Sequence, residues 1–264
     1  MSPSVKISLC IATMNRFDTF LNSFLDKYVG FLRDETIDEI VICDETGEDY
    51  EKICVEYKKW VFAENPQIRV FKNDTILGVF LNKRKVCSLA RNRHVALIDS
   101  DNFTSKKYFQ VAKKYIEDLN LIDKKYLLLC PSFAIPILHK GTNAKPFLDW
   151  REYSSMGPFT RENIKEYFLK YFMFKVFLNS GNFILTKDVF NDVHYNENDI
   201  PYIASCDVIY FLLLAFQQLK DVEMYAVKDM EYLHSIHQDS EYLKKCHIGN
   251  DFLLDKIIPG FNKL

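Results

Sequence analysis

The chain has 264 residues, 48% hydrophobic and 27% charged, which is enough apolar material for one α/β domain with a small C-terminal elaboration. Its 34 Lys and Arg face 36 Asp and Glu, and a formal charge of -2 argues against bulk electrostatic capture of nucleic acid. The 7 cysteines are scattered without a C-x-x-C, which excludes a zinc ribbon or a thioredoxin-type pair and fits buried thiols in a reducing compartment.

Residues 6–13 (KISLCIAT) form an apolar run of strand-forming residues and predict a buried strand. Phe17, Phe20, Leu21, Phe24, Leu25, Tyr28, Val29 and Leu32 then recur at helical spacing. Residues 39–43 (EIVIC) predict a second strand, 44–49 a polar loop, and 50–62 a helix that Asn65-Pro66 closes. A third strand falls at 67–72, a helix at 80–88, and a fourth strand at 94–98 runs into Asp99. Alternation of this kind specifies an α/β fold with a mostly parallel central sheet flanked by helices.

The second half is less regular. It predicts a helix over 105–119, a strand at 125–131, a loop over 132–158, an aromatic-rich helix over 161–178 and a short strand at 182–186. A buried helix over 206–219 and a final strand at 223–227 follow. For the aromatic stretch 167–178, core packing is the first reading, with an acceptor platform, a homodimer contact or a membrane-surface contact as alternatives. Residues 1–6 lack a signal-peptide layout, and the longest apolar run, 208–216, is too short to span a bilayer. The expectation is a cytoplasmic protein without a transmembrane segment, with peripheral membrane contact left open.

Ligands of such sheets bind beyond the carboxyl ends of the strands. Polar clusters stand at three of those ends: Thr13, Asn15 and Arg16; Asp44 with Glu45; and Asp99-Ser100-Asp101. Two carboxylates one residue apart after a buried strand suit Mg²⁺ or Mn²⁺, although such a pair also caps helices. Asp44 can accept from a nucleotide or simply close an acidic turn. Lys83 lies in a basic stretch that can approach a diphosphate or form a solvated helix face. Asp207, opening an apolar helix, can serve as a proton acceptor or merely favour the helix terminus. His234 and His237, three residues apart, can share a helical face or a loop and supply an imidazole to the two aspartates, or be ordinary loop histidines.

The ordered set of these pieces resembles the family-2 glycosyltransferases, which have the GT-A fold, a Rossmann-like sandwich. ISLCIATMNR is similar to the family's first strand and turn, and IDEIVICDETGED to its second strand and acidic loop, with Glu45 and Gly47 departing from the common residues. KNDTILGVFLNKRK carries Asn73, Gly78 and Asn82 at the family's Asn-Gly-Asn places, and HVALIDSDN is similar to its D-x-D segment. SCDVIYFLLLAFQQ resembles the helix opening on the catalytic carboxylate, with Cys206 in place of an acidic first member, and YLHSIHQDS the closing metal-binding segment.

The resemblance implies a single GT-A domain over 1–264. Residues 1–104 would bind the nucleotide sugar, 105–240 the acceptor, and 241–264 form a tail. It implies an inverting hexosyltransferase with Asp207 as base and a UDP-sugar favoured as donor. Thr13, Asn15, Arg16, Asp44, Gly78, Asn82, Lys83, Asp99 and Ser100 would contact that donor. Mn²⁺ or Mg²⁺ would sit on Asp99, Asp101 and His237, or His234 in its place. The acceptor would be a glycan, a glycoprotein or a lipid-linked sugar. A sugar-phosphate nucleotidyltransferase and a catalytically silent carbohydrate-binding protein are the competing readings.

Overall fold

The computed structural model describes residues 4–138, 148–237 and 240–264. The first half is built from four strands, β1 (Ile7–Thr13), β2 (Glu39–Asp44), β3 (Ile68–Lys72) and β4 (His94–Leu97). Between them run a π-helical turn (Phe17–Leu21) and four helices: α1 (Asn22–Arg33), α2 (Glu48–Glu56), α3 (Lys58–Val61) and α4 (Val79–Ser88). The strands pair in parallel in the order β3-β2-β1-β4. Period-two alternation explains why both faces are covered. Ile7, Leu9 and Ile11 of β1 and Ile40 and Ile42 of β2 pack with Leu25, Tyr28 and Leu32 of α1 on one face. Cys10, Val41 and Cys43 point the other way, against Phe80, Val86 and Cys87 of α4.

The second half supplies β5 (Phe103–Thr104), α5 (Lys106–Asp118), β6 (Leu127–Leu138), α6 (Ile164–Lys170), α7 (Phe172–Leu178), β7 (Phe183–Thr186) and α8 (Lys187–Asp192). It closes with α9 (Asp207–Gln218), β8 (Glu223–Ile236), α10 (Glu241–Phe252) and α11 (Ile258–Asn262). Strand β7 lies antiparallel between β4 and β6, β8 is parallel to β6, and β5 is antiparallel to β8. Among the described residues one mixed sheet of eight strands results, in the order β3-β2-β1-β4-β7-β6-β8-β5.

Four of the expected elements differ in the structure, the first being the helix over 50–62, which is divided at Tyr57 into α2 and α3. The loop expected from residue 132 begins as strand, since β6 runs to Leu138 alongside β8; residues 139–147 of that loop lie outside the described residues. Pro131 and Pro136 suggested a break, but the ladder of β6 with β7 covers only Leu128 and Leu129. A proline beyond it meets no second ladder and is tolerated. The expected helix 161–178 is broken at Tyr171, whose φ -117 and ψ 113 are extended. The two pieces serve different partners: Phe168 of α6 stacks on Phe261 at 4.4 Å, whereas Phe174 and Phe177 of α7 pack around Tyr153 and Phe159. The last strand extends nine residues past Val227, which puts His234 on a strand rather than a helix or loop.

Residues 241–264 are packed against the domain. An added Cβ at Gly260 would meet Leu213 of α9 at 2.5 Å, and Lys256 pairs with Asp199. Gly249 of α10 comes so close to Ser205 that a Cβ there would lie 1.8 Å from its Oγ. The C-terminal segment therefore buttresses the start of α9, where Asp207 sits.

Candidate active site

The carboxyl ends of β1, β2 and β4 lie side by side, with Thr13 in register with Asp44 and Ile98 N–H donating to the carbonyl of Cys10. The turns leaving these strands are held by buried carboxylates. Asp49 accepts from the Thr13 hydroxyl at 2.5 Å and from the backbone N–H groups of Arg16 and Phe17. Asp44 has no exposed surface, and its two oxygens accept from Thr46 N–H at 3.2 Å and Tyr50 N–H at 2.9 Å. Its carboxylate anchors the β2–α2 turn. Asn15, in the left-handed region at φ 56, accepts from the Thr46 hydroxyl and laces the two turns together.

Helix α4 is set by Gly78 and Asn82. Gly78 has φ 81 and ψ 166, a conformation that L side chains rarely adopt. Asn82 is buried, accepts from Asn73 Nδ2 at 3.1 Å and donates to the carbonyl of Cys43 at 3.1 Å. These bonds fix the helix on the sheet and leave Lys83 at the strand ends. The Lys83 ammonium lies 2.9 Å from Asp99 Oδ1 and 3.0 Å from Asp207 Oδ2. It thus joins a carboxylate after β4 to one at the start of α9. Burial works against the charge on Lys83, but Asp207 and Asp99 together raise its pKa above the ordinary lysine value. Burial, reinforced by Asp99, raises the Asp207 carboxyl above the ordinary carboxylate range while Lys83 pulls it back.

Asp99 is further held from the segment before β7. Its N–H donates to Asn182 Oδ1 at 2.9 Å, and its Oδ2 accepts from Asn182 Nδ2 at 3.3 Å and Asn102 Nδ2 at 3.4 Å. Gly181 and Asn182 both have positive φ, 67 and 53, and a Cβ on Gly181 would touch both Val208 and Asp99. That tight turn brings Asp99 and the start of α9 together. Asn182, Asn102 and Asp49 were not singled out in the sequence; the only signal was an Asn beside a Gly just before a strand, which marks a left-handed turn.

A second pair adjoins the first. His237, following β8, has its Nε2 2.9 Å from Asp101 Oδ2 and its ring 4.9 Å from that of Phe20. Burial would raise the Asp101 carboxyl, but His237 and Arg16 hold it below the ordinary value. His234 is half-buried, with burial depressing its pKa, and its Nδ1 has no hydrogen-bond partner among the described residues. Ser100 sits half-buried in the turn between the two aspartates. Among the described residues no three His, Cys, Asp or Glu side chains are gathered as a metal site. The donor chemistry nevertheless suits a hard cation at Asp101 and His237. The 2.9 Å between this oxygen and nitrogen is a hydrogen-bond distance, and both atoms are of types that can ligate Mn²⁺ or Mg²⁺. Asp99 is engaged by Lys83 and Asn182 instead.

Residues 8–123 match the family described as Glycosyl transferase family 2. An uncharacterized glycosyltransferase of Methanocaldococcus jannaschii is 24% identical over 117 residues, covering 44% of this chain and 39% of that one. Among solved structures, S. aureus TarS 1-349 in complex with UDP-GlcNAc superposes with TM-score 0.58 at 15% identity, covering 90% of this chain and 60% of that one. GalNAc-T7 with UDP, GalNAc and Mn2+ gives TM-score 0.58 at 12% identity, over 94% of this chain and 48% of that one. The chain thus spans less than two thirds of these relatives, and identities this low speak for the fold. No helix of the described residues is long and apolar enough to cross a membrane.

Proposed function

We propose that this chain, whose residues 8–123 match Glycosyl transferase family 2 and whose fold is GT-A-like, transfers a sugar from a nucleotide-sugar donor to a hydroxyl acceptor with inversion at the anomeric carbon. The observation that carries this reading is the convergence of Asp99 and Asp101 from the end of β4, Asp207 from α9 and His237 from the end of β8 at one edge of the sheet. Two parts of the chain more than 100 residues apart in sequence meet there through charged groups, as a two-substrate site requires.

In this reading the β1 turn, with Asn15 and Arg16, and the β4 turn, with Ser100, face the donor. Asp44 and Asn82 hold the turns that shape its cleft. UDP is the favoured nucleotide, in keeping with the UDP and UDP-GlcNAc complexes of the similar structures. The acceptor oxygen attacks the anomeric carbon, the bond to the diphosphate oxygen breaks with its electron pair leaving on the nucleoside diphosphate, and the acceptor proton passes to Asp207. Burial raises the affinity of the Asp207 carboxylate for that proton, which suits a base that must capture it. Asp101 and His237 would hold a Mn²⁺ or Mg²⁺ ion, whose positive charge would offset the negative charge of the departing diphosphate. The acceptor is a glycan, a glycoprotein or a lipid-linked sugar, each of which offers a hydroxyl to Asp207.

The test is a panel of nucleotide sugars incubated with the protein and Mn²⁺, with chromatography of the released nucleotide. The account predicts a nucleoside diphosphate; pyrophosphate would indicate nucleotidyl transfer instead. Asp207→Asn should lower kcat by about 10³-fold, the range for loss of a general base, with nucleotide affinity retained. Loss of binding and turnover together would count against Asp207 as the base.

A further inference from the structure

Lys83 was expected to contact the donor, yet its charge is already committed. Its side chain is 13% exposed, and its ammonium lies within hydrogen-bond distance of carboxylates from two segments 108 residues apart, Asp99 and Asp207. Asp207 is itself only 11% exposed on its side chain. A buried carboxylate stripped of its cation is costly, far more so than an exposed one. Moving Lys83 away to a phosphate would leave Asp207 in that state at the moment its orientation matters.

The position of Lys83 on α4 is equally fixed. Its neighbour Asn82 is bonded to Asn73 and to the carbonyl of Cys43, and Phe80, Val86 and Cys87 are buried against the sheet. The helix therefore cannot turn to present Lys83 elsewhere without breaking these contacts. Asp99, the other partner, is clamped through backbone and side chain by Asn182.

We propose that Lys83 is a positioning residue: anchored on Asp99, it fixes the Oδ2 of Asp207 so that Oδ1 meets the acceptor hydroxyl. This rests on the glycosyltransferase reading, with Asp207 as base. The donor-side strand end and the acceptor-side helix are then tied by one ammonium, and Lys83 contributes to turnover without binding the diphosphate.

The test compares Lys83→Met, Lys83→Arg and Asp207→Asn with the double variant Lys83→Met/Asp207→Asn. The readouts are Tm, the Kd for UDP in the presence of Mn²⁺, and kcat and KM with the nucleotide sugar found active. Lys83→Met should lower kcat by about 100-fold, within the span for a disturbed general base, and leave the Kd for UDP within about 3-fold. Lys83→Arg should recover part of the lost kcat. Lys83→Met should also lower Tm by about 5 °C, and neutralising Asp207 in the same chain should recover part of that shift, the mark of a coupled pair. A Kd for UDP weakened about 10-fold or more with kcat held would make Lys83 a diphosphate ligand and overturn the proposal. Strictly additive Tm shifts would overturn it as well. Coupled Tm shifts in a protein that turns over no nucleotide sugar would leave an ion pair only, removing both the positioning role and the transferase reading. Turnover of the wild type with unaltered kcat in Lys83→Met would strike the positioning role alone.

Discussion

The two halves of the molecule use their polar residues differently. In the first half, the carboxylates and amides at the strand ends are largely consumed by the chain itself: Asp49 holds the β1 turn, Asp44 the β2 turn, and Asn82 the α4 helix. The second half contributes fewer such anchors, but it brings Asp207 and His237 to the same edge, where each meets a partner from the first half. One half thus supplies rigid turns, and the other brings charged groups to the edge that those turns frame. Residues at strand ends divide into those bonded within their own turns and those paired across the two halves, and hydrogen-bond partners separate the two classes where residue type does not.

That division can be broken at its most heavily used anchor. Asp49→Ala removes the acceptor of a buried hydroxyl and of two backbone N–H groups, and should cost about 3 kcal/mol in urea denaturation, as buried donors left unpaired do. Donor affinity should weaken with it, since the β1 turn loses its support. A protein of unchanged stability would mean that the turn holds without Asp49.

The far end of β4 sharpens the contrast. His94 is buried there, its Nε2 without a hydrogen-bond partner among the described residues, and burial takes its pKa down to about 4 from the ordinary 6.5. The unfolded chain binds this proton more readily than the folded one, so stability rises with pH between about 4 and 6.5 and falls as the solution is acidified through that window. Between pH 7 and pH 5 this group alone should account for about 2 kcal/mol, measurable as urea-derived stability at the two pH values. His94→Gln should flatten that part of the profile; an unchanged slope would show that other groups govern it.

The smallest effect is expected from the second half's own buttress. Gly249→Ala forces Ser205 to shift beside Asp207 and should cost about 1–2 kcal/mol, the usual penalty of overpacking. Its kcat should fall more than its UDP affinity, because the displaced segment leads into α9 and not into the donor turns. An equal loss of both would blur the distinction between the halves.

Much of this was legible in the sequence, for definite reasons. Strands β1, β2 and β4 announced themselves because buried parallel strands are continuous apolar runs, and IVICD and ALIDSD each end in a carboxylate where the sheet's ligand edge must lie. The continuation of β6 past Pro131 was hidden, because whether a proline interrupts a strand depends on which side of it is paired. The break at Tyr171 was hidden too: FLKYFMFKVFL is apolar on every side, and only the separate partners Phe261 and Tyr153 decide that two helices form. Among the residues that meet at that edge, Asp99, Asp101 and Asp207 stand out as candidates by type and place, whereas the choice of His237 over His234 rests on the family resemblance. That Lys83 faces Asp207 could not be read there, because an ion pair spanning 124 residues leaves no trace in local spacing.

The central claim is that a nucleotide diphosphate binds at the edge where Asp101, His237 and Asp207 gather, and a crystal structure of the protein with UDP and Mn²⁺ tests it most directly. The account predicts a metal ion ligated by Asp101 and His237, in contact with the diphosphate, with the Lys83 ammonium still on Asp207. Nucleotide density away from the carboxyl ends of β1 and β4, with that edge filled only by water, would contradict it.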